Sequence, residues 1–366
     1  MKTISDVDKF MAIKDPEDSG IVWYDARNSQ LFNLCGTKGD DFNRFTNQQF
    51  EELKSLEDVC FLAHHSSGLQ LKFKTNSLKI FIEVDLIAPH DMDHMPATGQ
   101  CGFDIYCYDE EVKKYVLHNT TRFKRHLTHY KSALSVFHYF TDVDKMRSYI
   151  INFPLYQGVK SVKIGLSDGA TTIPEYYGKN GLIVHYGTSI AQGGCVSRPG
   201  MMYTNMLSRT LDTEFLNFGF SGCAMCEASL GEALGKIENQ KLFIIDAEAN
   251  AGCTDIMEKR LEEFINAYKL NSPNVPIILV TRCKFNFDHF DEHRIKLNKF
   301  YIDFTKALVQ KYRSLGHKMY FLDGSDYFSN QELDYSEFTV DGVHPTDFGT
   351  YLIYKSYLKK IKEVLE

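Results

Sequence analysis

Five short runs of almost unbroken apolar residues recur along the second half of the chain: Gly181–Tyr186, Glu214–Phe218, Lys241–Asp246, Pro276–Thr281 and Lys318–Asp323. Runs this apolar suit strands buried on both faces, as in a parallel sheet. Helical stretches lie between them, including Asp255–Lys269 and Glu292–Leu315. From about Thr346 a last helix sets Tyr351, Tyr354, Leu358, Ile361 and Leu365 on one stripe. Strands joined through helices imply right-handed crossovers, so an open three-layer α/β/α domain around a five-stranded parallel sheet is expected. Ligands of such sheets bind outside the carboxyl ends of the strands.

The first half has a different rhythm. Leu69–Thr75, Leu78–Leu86, Gly102–Tyr108, Ala133–Tyr139 and Val159–Gly165 alternate apolar and polar residues, with a helical period only around Asn47 to Leu56. Alternation of period two buries one face and solvates the other, which predicts a jelly-roll-like β-sandwich. At roughly 150 residues per domain the 366 residues suggest two domains. The change of rhythm puts them at 1–177 and 178–366.

Composition narrows the function classes. With 43% hydrophobic and 24% charged residues the chain reads as folded. A net charge of −7 argues against nucleic acid or an anionic membrane as partner. The segment Met1–Phe10 lacks the apolar core of a signal peptide, and no stretch reaches the length of a membrane span. Nine cysteines, an odd number without a small-domain framework, read as mostly reduced thiols, so a cytoplasmic location is expected.

Four features stand at the predicted strand ends. The first strand runs into Gly187-Thr-Ser189, where a glycine lets the chain bend and present the serine hydroxyl, although a turn serine capping a helix has the same look. The second runs into Phe218-Gly-Phe-Ser-Gly222, whose backbone N–H groups can form an anion nest or an ordinary loop. The third ends in Asp246-Ala-Glu-Ala-Asn250, a turn asparagine or an amide donor toward developing negative charge. After the fifth come Asp341-Gly-Val-His344, in which a carboxylate is spaced to hold an imidazole by one ring nitrogen. An Asp-Gly turn beside a surface histidine is the plain alternative.

In this order the four resemble the blocks of the SGNH hydrolases, also called GDSL-type esterases and lipases. Thr188 stands where the family has Asp, and the third block keeps Asn250 but lacks the usual Gly before it and Asp after it. The stretches Tyr186–Tyr203, Asn217–Gly222, His65–Leu69 and Asn152–Val159 are similar to the subgroup with an amino-terminal β-sandwich resembling a carbohydrate-binding module. The resemblance implies a flavodoxin-like hydrolase domain in which Ser189 is nucleophile, His344 general base and Asp341 its orienting partner. The Ser189 N–H, Gly222 N–H and Asn250 amide would form the oxyanion hole, each donor worth about 2.7–4 kcal/mol in the transition state. It implies no metal and no organic cofactor. The expected reaction is hydrolysis of short-chain acyl esters, acetyl esters included, of a carbohydrate or other small alcohol. Transfer of the acyl group to an alcohol is the alternative, since both routes share one acyl-enzyme. A catalytically dead sugar-binding protein is a third reading, opposed by the survival of Ser189, Asp341 and His344.

Other patterns compete less well. His289-Phe-Asp-Glu-His293 has the spacing of inverted zinc peptidases but reads as a polar loop opening a helix. His90-Asp-Met-Asp-His94 reads as a solvated loop before it reads as a cation site. Cys223-Ala-Met-Cys226 has redox spacing without the thioredoxin context. Arg198, beside a helix-starting Pro199, is a candidate substrate contact. The loop Ala88–Gln100 is expected to lean over the site and shape it.

Overall fold

The computed structural model describes residues 2–366 except 15, 138–141, 143, 330–331 and 333–334. Ten strands lie in the first half: β1 (Ile21–Asp25), β2 (Asn33–Cys35), β3 (Gln70–Thr75), β4 (Lys79–Leu86), β5 (Asp104–Asp109), β6 (Lys114–Thr120), β7 (His129–Val136), β8 (Arg147–Asn152), β9 (Val159–Ser167) and β10 (Thr172–Pro174). All their pairings are antiparallel. One sheet has the order β1-β9-β4-β7, the other β10-β3-β8-β5-β6 with β2 also on β3. Leu71, Phe73, Ile105, Tyr149 and Ile151 of one sheet share a core with Ile80, Ile82, Val84, Leu134 and Ile164 of the other. This is the sandwich that the alternation predicts. The predicted strand Ala133–Tyr139 is observed from His129 to Val136, and its residues 138 and 139 lie outside the described ones.

The second half forms a parallel sheet of β11 (Leu182–Gly187), β12 (Phe215–Gly219), β13 (Gln240–Asp246), β14 (Ile277–Val280) and β15 (Met319–Leu322), in the order β12-β11-β13-β14-β15. Both faces are covered, which is why the runs are unbroken. Val184, Leu216, Phe243 and Leu279 point into one core, while Ile183, Phe215, Ile244 and Ile278 point into the other. The chain leaves β11 for β12 on one side and returns to β13 on the other. Ser189 therefore stands at the switch point of the strand order, where a crevice opens beyond the strand ends.

The halves meet along a tight seam. Phe45, Leu53, Val59 and Leu62 join the core beneath Phe218 and Phe220. Phe45 and Leu53 flank the helix Asn47–Glu52, and Val59 and Leu62 lie on the helix Glu57–Ala63, which interrupts the alternating pattern without a long enough period to announce itself. Arg44, buried, donates to the carbonyls of Asn217, Gly219 and Leu62, and burial pushes its guanidinium down to about 9. Gly68, at φ +87°, lies so close to Asn217 that an added Cβ would stand 2.6 Å from the Asn217 Cβ.

Candidate active site

Strand β11 delivers Thr188 and then Ser189 onto a single helical turn, Ser189–Gln192, which the left-handed Gly193 closes at φ +104°. Across the crevice, Thr346 caps the last helix, Asp347–Leu365, by accepting from the Gly349 N–H, and fixes the loop just before it. In that loop Asp341 Oδ1 accepts from the backbone N–H groups of Val343 and His344 at 3.0 and 2.8 Å. Its Oδ2 is 2.7 Å from His344 Nδ1, and His344 Nε2 is 2.8 Å from Ser189 Oγ.

The tautomer follows from these contacts. An ionised carboxylate can only accept, so Nδ1 carries the proton and Nε2 offers its lone pair to the serine hydroxyl. Burial pushes Asp341 up, but the hydrogen bonds from His344 and Val343 outweigh it and hold the carboxyl below the usual range. It is therefore a charged partner near neutral pH. Gly194 is needed beside the imidazole, because an added Cβ there would lie 2.9 Å from His344 Cδ2.

Facing Ser189 is the loop after β12. Gly222 adopts φ +73° and an added Cβ would meet nothing within 4 Å, so the residue borders open space. Among the described residues, neither the Ser189 nor the Gly222 backbone N–H finds a hydrogen-bond acceptor. Asn250, on the short helix Glu248–Ala251, accepts from the Ala224 N–H through Oδ1 at 3.3 Å, which leaves its amide N–H group over. Asn250 and Gly222 thus belong to one connected loop pair.

Several residues that complete the site carry no motif. Gln192 is buried. Its Oε1 accepts from the Ser221 N–H at 3.0 Å, and its Nε2 donates to the Leu155 carbonyl at 3.2 Å and to His65 Nδ1 at 3.1 Å. Ser67 Oγ holds the Gln192 carbonyl, and Tyr156 Oη donates to the Ser189 carbonyl at 3.0 Å. The loop Ala88–Gln100 does lean over the site. Met95 is buried in the core beside Tyr156 and Met202, and Thr98 donates to the Ser197 carbonyl.

Arg198 lies beside the turn that follows Ser189 and is engaged inside the protein. Its guanidinium donates to Asp104 Oδ2 at 2.9 Å and to Tyr106 Oη, and Asp104 also accepts from the Gly200 N–H and from Asn152. The Asp104 side chain is fully buried, so the arginine supplies the counter-charge that a buried carboxylate requires. Of the metal patterns, His289 and His293 join no cluster of three or more ligating side chains among the described residues. His90 donates from Nε2 to the Met95 carbonyl. Cys223 and Cys226 are free thiols, and Cys226 is buried.

Residues 180–363, half of the chain, match the GDSL-like lipase/acylhydrolase family, and residues 21–172 match the N-terminus of SGNH-hydrolase-type esterases. The chain belongs to the GDSL-like lipase/acylhydrolase family. A Bacteroides ovatus protein described as a GDSL-like lipase superposes with a TM-score of 0.81 at 25% identity, covering 94% of this chain and 98% of that one. Two others share the fold at lower identity. A salicylyl-acyltransferase from a tetracycline biosynthetic pathway has a TM-score of 0.73 at 14% identity, covering 95% and 98% of the two chains. A family two carbohydrate esterase from Cellvibrio japonicus has 0.58 at 12%, covering 94% and 98%. A search of curated protein sequences finds no match. Among the described residues no helix is long and apolar enough to cross a membrane.

Proposed function

We propose that this GDSL-family hydrolase is a serine esterase that removes short acyl groups, acetyl among them, from a carbohydrate or other small alcohol. The observation that carries this reading is the unbroken chain from Ser189 Oγ through His344 to Asp341, with the Ser189 and Gly222 N–H groups left unpaired among the described residues. His344 takes the Ser189 proton as the hydroxyl oxygen attacks the ester carbonyl. The oxyanion is met by the Ser189 and Gly222 N–H groups and the Asn250 amide. The tetrahedral intermediate collapses, His344 protonates the leaving alcohol, and water attacks the acyl-serine by the same route.

A cavity of about 480 Å³ lies beside Tyr156, whose hydroxyl bonds the Ser189 carbonyl, and is lined by Phe61, His65, Ile87 and Met92 with Gln157 and Asp91 as polar groups. That is the scale of a small-molecule pocket, with a mostly apolar wall. The two domains are taken as 1–177 and 178–366. Nine free cysteines support a reducing compartment, the cytoplasm.

Transfer to a second alcohol is favoured by the likeness in fold to the salicylyl-acyltransferase. One experiment addresses both routes. A fluorophosphonate should label wild type at Ser189 and leave Ser189→Ala unlabelled, and acetylated sugars should be cleaved with and without added alcohols. Hydrolysis that yields free acetate supports the esterase. An acyl product formed only with the alcohol assigns the transferase, and a well-folded wild type that takes up no phosphonate overturns the triad.

A further inference from the structure

Two side chains stand against the Ser189–His344–Asp341 chain without serving acyl transfer. His94, from the loop between β4 and β5, brings Nε2 to 3.9 Å from Asp341 Oδ2, and its ring meets that of His344 edge to face at 5.8 Å between centroids. Cys195 is buried and held at φ +70°, a conformation that non-glycine residues rarely adopt. One donor atom from each of His94, Cys195, Asp341 and His344 lies within 4.8 Å of the others, and no other such group occurs among the described residues.

We propose that these four side chains bind a borderline-soft divalent cation of the zinc type, and that its binding switches the enzyme off. Two imidazoles, one thiol and one carboxylate form a set that suits a four-coordinate zinc-like ion and not calcium or magnesium, which take oxygen ligands. Donors around a tetrahedral zinc stand about 3.3–3.6 Å apart, given metal–nitrogen bonds near 2.0 Å and metal–sulfur bonds near 2.3 Å. The widest separations must close by about an ångström while the 2.7 Å between His344 Nδ1 and Asp341 Oδ2 opens, and His94, an exposed side chain on a loop, is the donor freest to move.

The chemistry balances without a co-reactant. Cys195 Sγ releases its proton to solvent and gives an electron pair to the ion. Nδ1 of His344 is the nitrogen beside Asp341, itself a member of the cluster, whereas Nε2 is turned to Ser189; the Nδ1–Asp341 hydrogen bond gives way when both side chains ligate the ion. When Nδ1 ligates, the single N–H proton of the neutral ring resides on Nε2. An imidazole that already carries its proton there cannot take the serine's, so the nucleophile loses its base while the fold stays intact. The switching half of the proposal rests on the triad reading; the binding half does not.

The test is a titration of the metal-free full-length protein with cobalt(II), a spectroscopic stand-in for zinc, followed by zinc competition. The expected result is tetrahedral d–d absorption with a thiolate-to-cobalt charge-transfer band, both removed by added zinc. Cys195→Ala should lose the charge-transfer band, and His94→Ala should bind at least about tenfold more weakly. Zinc should abolish ester hydrolysis by wild type, reversibly with a chelator, and should inhibit His94→Ala far less when each protein is rated against its own metal-free activity. Circular dichroism checks that both variants fold, and Cys195→Ser replaces the alanine variant if it does not. Cobalt spectra without a thiolate band, a band that survives in Cys195→Ala, or equal zinc inhibition of wild type and His94→Ala would overturn the proposal. The cobalt spectrum reads the site without any ester, so it remains decisive if the role given to Ser189 fails.

Discussion

Replacing Gln192 by leucine should damage both stability and rate through a residue that never meets the reacting atoms. Leucine fills nearly the same volume, so the loss is polar and not a cavity. Three partners lose their bond: the Leu155 carbonyl in the buried interior, and the Ser221 N–H and His65 Nδ1 in partly buried positions. A buried polar group left unpaired costs about 1–3 kcal/mol, and the two partly buried ones can recruit water, so a net loss of about 2–4 kcal/mol is expected. The rate effect comes from Ser221, whose N–H anchors the loop next to Gly222. With that anchor gone the Gly222 donor drifts, at a cost of part of one oxyanion contact, about 1.4 kcal/mol or tenfold in kcat. Urea unfolding and steady-state kinetics on an acetyl ester measure the two effects. A leucine variant with the wild-type unfolding midpoint and a kcat within about twofold of wild type would refute the reasoning.

Three further substitutions test other parts of the structure. Gly222→Ala should cost about 1 kcal/mol in urea unfolding, the penalty of φ +73° alone, since the added methyl meets no atom; a loss above about 3 kcal/mol would show that the space is not open. Arg198→Ala strips the buried Asp104 of its counter-charge and should lower stability by about 3 kcal/mol while KM stays unchanged; a raised KM at wild-type stability would restore Arg198 to substrate binding. Burial, then Arg44 and His64, hold His65 at about 4 against 6.5 unfolded. From pH 6.5 down to 4 the unfolded chain thus takes up a proton that the folded one refuses, and stability falls by up to about 1.4 kcal/mol per pH unit. His65→Gln should flatten that acid limb, and an equally steep variant curve would count against it.

What the sequence disclosed follows from how local each signal is. The five parallel strands were legible because each is buried on both faces, and His344 with Asp341 because the pair lies within one turn of chain. Strand β8, Arg147–Asn152, escaped notice because its residues are nearly all buried, which erases the alternation that revealed β4. Strand β6 escaped for the opposite reason, as an exposed edge with little apolar content. In the site, Gln192 shows no signal of its own, because its partners at 65, 155 and 221 come together only through the fold. His94 stands in a pattern that the sequence could pair only with His90, whereas Cys195, Asp341 and His344, which it joins in space, are 101 or more residues away. The partner of Arg198 was equally hidden, because Asp104 lies 94 residues away in sequence and meets it only through the fold.

The seam between the halves bears on how such enzymes can be recombined. Arg44 grips the carbonyls on either side of Phe218, Ser67 holds the turn that carries Ser189, and Gly68 admits no side chain against Asn217. A crossover placed in the stretch before β11 would separate these three residues from the strands they brace. The heritable unit is therefore the hydrolase sheet together with two short loops of the sandwich, and a chimera that exchanges whole sandwiches keeps its oxyanion loop in register only when the incoming loops supply the same arginine, serine and glycine.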